Sequence, residues 1–247
     1  MDQLMRFSFP GLERVQCVFS TRMGGLSTGP YARNNISFEV GDDLSAVSEN
    51  RRRIMHALGF SFWQELEQVH SIDMVSDPRP AGPDERPRLT GDGLTTALLG
   101  QALVVKTADC QPILLAHFGG RHIAALHCGW RGNRAGFPGQ GVMRFCAHYG
   151  LDPGEVMAVR GPSLSPAKSE FVNFKGEWAP EFSDYFDPKS RTMDLWRLTF
   201  DQLRAAGLKA EHIFSIDLCT YAREDLFFSY RRDNLCGRQG SFIWMEK

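Results

Sequence analysis

The sequence predicts an α+β layered sandwich, built on a mixed or antiparallel β-sheet with flanking helices and formed as a single domain over residues 1–247. Three observations carry this expectation. Strand-like apolar runs outnumber helical stretches, they arrive in clusters rather than in regular strand–helix alternation, and no internal repeat or heptad interrupts them. At 247 residues, 43% hydrophobic and 23% charged, the chain is long and apolar enough to bury a sizeable core.

The strand-like runs are RVQCVF (14–19), QALVVKT (101–107), PILLAHF (112–118), RHIAALH (121–127), EVMAVRG (155–161), HIFSIDL (212–218), DLFFSY (225–230) and SFIWM (241–245). Each is short, rich in branched or aromatic residues and bounded by turn formers. A helix is expected over 44–58, with Val47, Asn50, Ile54 and Leu58 on one face and Gly59 as its stop. Two more are expected over 139–149, stopped by Gly150, and over 195–206, opened by Asp194 and stopped by Gly207. The segment 77–91, with four prolines, reads as a long loop because strand-like segments stand on both sides of it.

Lysine and arginine number 28 against 29 aspartates and glutamates, a formal net charge of −1, so no whole-molecule field draws the chain to nucleic acid or lipid. An anionic ligand would need a local cluster of cations. No stretch approaches the roughly 20 apolar residues of a spanning helix. The start, MDQLMRFSFPGLERV, lacks the basic and apolar regions of a signal peptide, so a cytoplasmic location is expected. The six cysteines (17, 110, 128, 146, 219 and 236) form no CxxC pair and are expected to be reduced. Nothing fixes an oligomeric state, and a monomer is the favoured reading.

The pentapeptide GLSTG at 25–29 matches the G-x-S-x-G elbow, but TRMG precedes it and a proline follows, where that motif needs a strand leading in and a helix leading out. The surrounding TRMGGLSTGPY is better read as a turn-rich loop whose backbone N–H groups and Arg22 could meet an anion. There is no GxxxxGK[ST], no GxGxxG after a strand and no HExxH, which leaves nucleoside triphosphate and Rossmann chemistry unsupported.

The informative stretches are EQVHSID, KTADCQP and ALHCGWRG, each placing a potential metal ligand at or just beyond the end of an apolar run. His70, Cys110 and His127 offer one thiolate and two imidazoles, a set suited to Zn²⁺ with a fourth position open for catalysis. Against this, a lone cysteine is usually a buried hydrophobe, a lone histidine is often a satisfied core residue, and these wide spacings form no pattern by themselves. Cys128 adjoins His127 and should point to the opposite face if the strand is regular.

The segments TRMGGLSTGPY, NN followed by VGDD, ENRRR, QVH, GDGLTT, TADCQPILL, ALHCGWRGNRAG, RGPSLSP, LCT, FFSYRRD and CGR run in order from about residue 15 to 245. In this the chain resembles the YfiH-like family, labelled multicopper polyphenol oxidoreductase or laccase-like and also described as purine nucleoside phosphorylases that deaminate adenosine. The resemblance implies that His70, Cys110 and His127 bind zinc and are needed for activity. Departures from the family pattern are Ser71 after QVH, Asn34-Asn35-Ile36, Cys236-Gly237-Arg238 and Ser169-Glu170-Phe171, none of them in the ligand triad.

The expectation is therefore a zinc-dependent enzyme that transfers the sugar of a purine nucleoside (adenosine, inosine or methylthioadenosine) to phosphate, with adenosine deamination as a second activity. Arg22 and Arg131 are the expected phosphate ligands, since a guanidinium fork fits a tetrahedral oxyanion, and Asn35 is placed with them. Asp92 or Asp109 would protonate the leaving base or, more simply, orient a ligand histidine. Two other readings stay open. Cys110 could act as a metal-free nucleophile with His127 or His70 as its base, in a hydrolase or deamidase. Copper could occupy the site, given its higher affinity for such donors. The multicopper label itself sits poorly with seven histidines and no HxH pair. A binding protein with a structural zinc is disfavoured because such sites are closed by four ligands.

Overall fold

The computed structural model describes residues 4–247. In chain order the elements are β1 (Leu4–Phe7), β2 (Val15–Ser20), α1 (Leu44–Leu58), β3 (Phe62–Gln64), β4 (Met74–Ser76) and β5 (Gly93–Thr96). Next come β6 (Gln101–Thr107), β7 (Gln111–His117), β8 (Ile123–Cys128), α2 (Trp130–Arg134), α3 (Phe137–Tyr149) and β9 (Val156–Arg160). The last are α4 (Phe174–Glu177), β10 (Phe186–Asp187), β11 (Thr192–Met193), α5 (Leu195–Ala205), β12 (Ile213–Ser215), α6 (Tyr230–Asp233) and β13 (Gln239–Met245).

Two mixed sheets form the body. One has five strands in the order β1-β2-β13-β6-β3, the other six in the order β12-β9-β7-β8-β5-β4. Parallel pairs occur between β3 and β6, β4 and β5, and β9 and β12; the remaining pairs in the two sheets are antiparallel. The period of two along each strand divides its apolar residues between two cores. Leu103 and Val105 of β6, Leu114 and Ala116 of β7, and Ile243 and Met245 of β13 fill the space between the sheets. Their neighbours face outward into helix-covered layers. Ala102, Val104, Phe242 and Trp244 pack with Ile54 and Leu58 of α1. Ile113, Leu115, Ala124 and Leu126 pack with Val142 and Phe145 of α3 and Leu203 of α5. The result is a helix–sheet–sheet–helix stack, as the clustered strand pattern predicts. Strands buried on both faces explain why PILLAHF and QALVVKT read as continuous apolar runs.

The three expected helices form. Asp43 caps α1 by accepting from the Ala46 N–H, and Gly59 closes it at φ 77°, a left-handed conformation that a side chain would strain. Helix α3 starts two residues earlier than its expected start at 139, with Pro138 in its first turn, where a missing N–H costs nothing. Residues 77–91 are a loop, as expected. One strand assignment fails. In DLFFSY (225–230), Phe227 and Phe228 are fully buried, yet the Phe227 N–H donates to the Arg223 carbonyl and the Phe228 N–H to the Gln239 side chain, so the segment is a packed turn leading into α6. Apolar residues report burial there, not a ladder. HIFSIDL contributes only the three-residue edge strand β12. No helix among the described residues is long and apolar enough to cross a membrane.

Asn50 is the polar member of the buried face of α1. Its amide donates to Ser27 Oγ (3.0 Å), the Arg33 carbonyl (3.2 Å) and the Asn35 carbonyl (2.9 Å), and its oxygen accepts from the Leu26 N–H (2.8 Å). One side chain thus holds the Gly-rich loop and residues 33–35 onto the helix. Replacing it with Ala would orphan these buried groups and should cost about 2–3 kcal/mol. In calorimetry, Asn50→Ala should melt roughly 5–10 °C lower, at the 2–4 °C per kcal/mol typical of this chain length. A shift under about 2 °C would show that the loop does not depend on this anchor.

Candidate metal centre

His70 lies in the loop after Gln64, Cys110 in the link between β6 and β7, and His127 near the end of β8. Closure of the two sheets brings their donor atoms within 4.8 Å of one another. Cys110 Sγ lies 3.7 Å from His70 Nε2, and the two imidazole rings meet edge to face with centroids 4.9 Å apart. Among the described residues this is the one group of histidine, cysteine or acidic donors close enough to hold a metal ion.

Asp92, at the start of β5, organises the group. It is 2% exposed, and its carboxylate accepts from His127 Nδ1 (2.7 Å) and from the backbone N–H groups of Val69 (3.3 Å), His70 (3.1 Å) and Ser71 (2.5 Å). Its own backbone carbonyl accepts from the His127 N–H at 2.7 Å. The Asp92 bond fixes His127 with Nδ1 protonated and Nε2 directed at the cluster. The same carboxylate gathers the backbone on both sides of His70, which holds the left-handed φ of 60° that a histidine adopts only under constraint. Gln68 adds a second clamp, donating to the Lys106 carbonyl and accepting from the Lys106 N–H, both at 2.8 Å. Gly129 leaves the room: a Cβ there would stand 2.9 Å from Cys110 Sγ and 3.0 Å from His70 Cδ2.

Burial alone would raise the Cys110 thiol, but His127 and then His70 outweigh it and bring it down to about 6. Burial likewise works against a charged His127, but the Cys110 thiolate and then Asp92 lift it to about 9. Without a metal the pair is thus a thiolate beside an imidazolium, and a metal that binds there must displace the His127 proton. One sulfur and two nitrogens, a carboxylate behind one imidazole and a glycine floor fit zinc with one position left open. Cys128 is the foil: its side chain packs into the helix-side core, where burial pushes the thiol up, and Asn133 donates to its sulfur. It diverges from His127, as strand alternation predicts.

A cavity of about 630 Å³ opens over the cluster. Of the other expected site residues, Arg131 and Asp109 line it and Arg22 and Asn35 do not. Arg22 donates to the carbonyls of Ala32 (3.0 Å from one terminal nitrogen) and Glu224 (3.4 Å), and its guanidinium stacks on Phe228, 4.7 Å from the ring centroid. It ties two loops together, so the structure does not place it as a phosphate ligand. Asn35 is fully buried and holds Ser37, Asp42 and the Arg238 N–H, shaping the cavity rim from behind. Asp109, at φ 96°, accepts from Thr220 Oγ1 and the Arg231 N–H, both at 2.7 Å. Sequence reasoning missed Lys106, Gln111, Arg231 and Arg238 on the cavity wall. The RRD and CGR segments carried a signal for the two arginines, without a role.

Two pairs of substitutions test this geometry. Gly129→Ala should sharply reduce bound zinc with the far-ultraviolet circular dichroism unchanged, whereas Cys128→Ala should keep zinc. Zinc lost from Cys128→Ala would mean that the wrong thiolate has been assigned. Arg22→Ala should lower the melting temperature and leave the KM for phosphate unchanged, while Arg131→Ala should raise that KM and leave the melting temperature in place; the opposite pattern would return Arg22 to the anion.

Residues 16–246 match the family model described as multi-copper polyphenol oxidoreductase laccase. The chain is 32% identical over 256 aligned positions to purine nucleoside phosphorylase YfiH of Escherichia coli K12, covering 99% of this chain and 100% of that protein. It is 33% identical to a purine nucleoside phosphorylase of Pseudomonas aeruginosa, with both chains covered in full. The crystal structure of YlmD from Geobacillus stearothermophilus superposes with a TM-score of 0.89 at 30% identity, over 99% of this chain and 96% of that one. Neisseria meningitidis NMB0706 superposes with a TM-score of 0.85 at 29% identity, with 99% of each chain covered. A mixed two-sheet body with its helices outside is thus shared with these solved structures along nearly the whole chain, which belongs to the YfiH-like family whose model is described as multi-copper polyphenol oxidoreductase laccase.

Proposed function

We propose that this chain is a zinc-dependent purine nucleoside phosphorylase, with adenosine, inosine and methylthioadenosine as candidate substrates and adenosine deamination as a second activity. The observation that carries the reading is the three-donor cluster at the base of a cavity large enough for a nucleoside, in a chain whose full-length relatives bear the phosphorylase name. In phosphorolysis a phosphate oxygen bonds to C1′ as the C1′–N9 bond breaks, its electron pair leaves with the base, and the base takes up a proton. The transition state has oxocarbenium character, so phosphate must be held close to a sugar that is becoming cationic.

The cavity provides cations for that anion. Lys106, Arg131, Arg231 and Arg238 line it. Glu39 (3.1 Å) and Glu65 (3.2 Å) already pair with Lys106 and offset its charge, whereas the side chain of Arg231 is anchored on the neutral Glu170 carbonyl, so its charge is held in place before substrate arrives. Asp92 and Asp109 both have their carboxylates engaged by protein donors, which favours orienting roles over proton transfer to the base. Zinc held by His70, Cys110 and His127 would supply a Lewis acid with one coordination position open to substrate or water. A multicopper oxidation is disfavoured because it needs several metals, and the described residues bring together one donor group. Copper in that single site remains a measurable alternative.

A second reading has its own observation. A thiol held near 6 beside an imidazolium near 9 is the state of a cysteine nucleophile, as in a metal-free hydrolase or deamidase. The two part at metal content. Freshly purified protein should carry zinc near one per chain and release base from adenosine or inosine only with phosphate. His70→Ala, Cys110→Ala and His127→Ala should each lose zinc and base release almost as fully as the triple variant, with the fold intact, because donors acting as a unit do not contribute additively. Activity that survives chelation but not iodoacetamide would replace this reading with the thiol enzyme.

A further inference from the structure

The cavity lining is part charged and part apolar. Arg238, from the approach to β13, and Lys106, at the end of β6 and paired with Glu39 and Glu65, bring cationic side chains from the five-stranded sheet. Leu164, Phe171, Leu195 and Trp130 give the same cavity an apolar surface, with the Trp130 and Phe171 rings 5.8 Å apart at 73° and the Arg131 guanidinium 4.4 Å from the Trp130 ring centroid. Two of the residues that line it carry a buried polar atom without a protein partner among the described residues: Gln111 Oε1 and Ser169 Oγ. Their residues are 2% and 0% exposed. Such atoms are normally satisfied, and when both line a ligand cavity the ligand is the natural source of the missing bond.

Gln111 is the sharper of the two because its orientation is set. Its Nε2 donates to the Leu195 carbonyl at 3.2 Å, and a carbonyl can face only the amide end. The other end is therefore an acceptor, to be satisfied by a ligand N–H or O–H, or by a water that the ligand displaces. The apolar, partly aromatic surroundings suit a heteroaromatic base better than a sugar, and the cations of the same lining suit phosphate.

We propose that Gln111 reads the purine base, its Oε1 accepting from the 6-amino group of adenosine or the N1–H of inosine, which occupy adjacent positions on the same edge. This rests on the phosphorylase reading and adds to it the group that selects the base. A purine with no donor on that edge leaves the Gln111 oxygen buried and unpaired, and a site built around a hydrogen bond discriminates strongly against such an analogue.

The test compares phosphorolysis of adenosine and of purine riboside, which lacks the 6-amino group, by the wild-type protein and by Gln111→Met, a substitution of similar length without the amide. Comparing the two proteins cancels the intrinsic difference in leaving-group ability. Gln111→Met should lose roughly 10- to 100-fold in kcat/KM for adenosine, on the scale expected for one lost substrate hydrogen bond, and change little for purine riboside. Zinc content and the KM for phosphate should be unchanged. An equal fall for both nucleosides, with or without loss of zinc, would make Gln111 a support for its neighbour Cys110 and overturn the proposal. If Gln111→Met does not fold, equilibrium binding to the wild-type protein carries the same question. Adenine should then bind roughly 10-fold tighter than unsubstituted purine, and equal affinities would overturn the assignment. Wild-type protein that releases no base from either nucleoside in the presence of phosphate would overturn the phosphorylase reading itself.

Discussion

A buried carboxylate with no route to water must find its hydrogen bonds inside the protein, and the way Asp92 finds them determines the site. One oxygen holds the His127 ring and the pair together draw in three successive backbone N–H groups around His70. Two of the three donors are therefore placed by the same side chain, although they come from a loop and from a strand of the six-stranded sheet. The carboxylate is held below its ordinary range, because its bond to His127 and the charge there, then the Ser71 donor, outweigh burial. A charged anchor of this kind orients its imidazole more strongly than a neutral one would.

The rest of the architecture serves that convergence. Two sheets packed face to face leave a seam at the ends of β6, β7 and β8, and chain links crossing the seam can place side chains from both layers over one point. Neighbouring links carry strain: His70 and Asp109 both have left-handed φ values and are held there by the Asp92 carboxylate and by the Thr220 and Arg231 donors. Behind them, fully buried Arg51 bridges the Ile36 carbonyl and Glu65, and Glu65 also binds Lys106. Removing one member of such a buried ionic group leaves another uncompensated, so the cavity wall is tied to the packing of α1.

Much of this was legible in the sequence, for identifiable reasons. His70, Cys110 and His127 each stand where an apolar run ends, and strand ends are where a layered sandwich can bring donors together. Helix α1 announced itself by periodicity and by Gly59 at its end, and Asn50 fell on its buried face. Asp92 was legible as a histidine partner only through its place beside the ligands. The failures share a cause. Arg22 looked like an anion ligand because its loop is rich in glycine, but nothing local shows that Ala32, Glu224 and Phe228 surround it. Arg231 and Arg238 reach the cavity by closure of distant segments, and Gln111, beside Cys110, carried no signal of its own. Strands β3, β4 and β5 are three or four residues long, below the length at which alternation can be read. Of the departures from the family pattern, Ser169 and Phe171 sit on the cavity wall.

The central claim is that one metal sits on a thiolate and two imidazoles with a position left open. X-ray absorption at the zinc edge, recorded on protein that is active as purified, tests it most directly. The account predicts a single sulfur at about 2.3 Å and two imidazole nitrogens at about 2.0–2.1 Å, with one further light atom. A zinc with no sulfur neighbour, a zinc closed by several sulfurs, or full activity in protein with no zinc signal would contradict it.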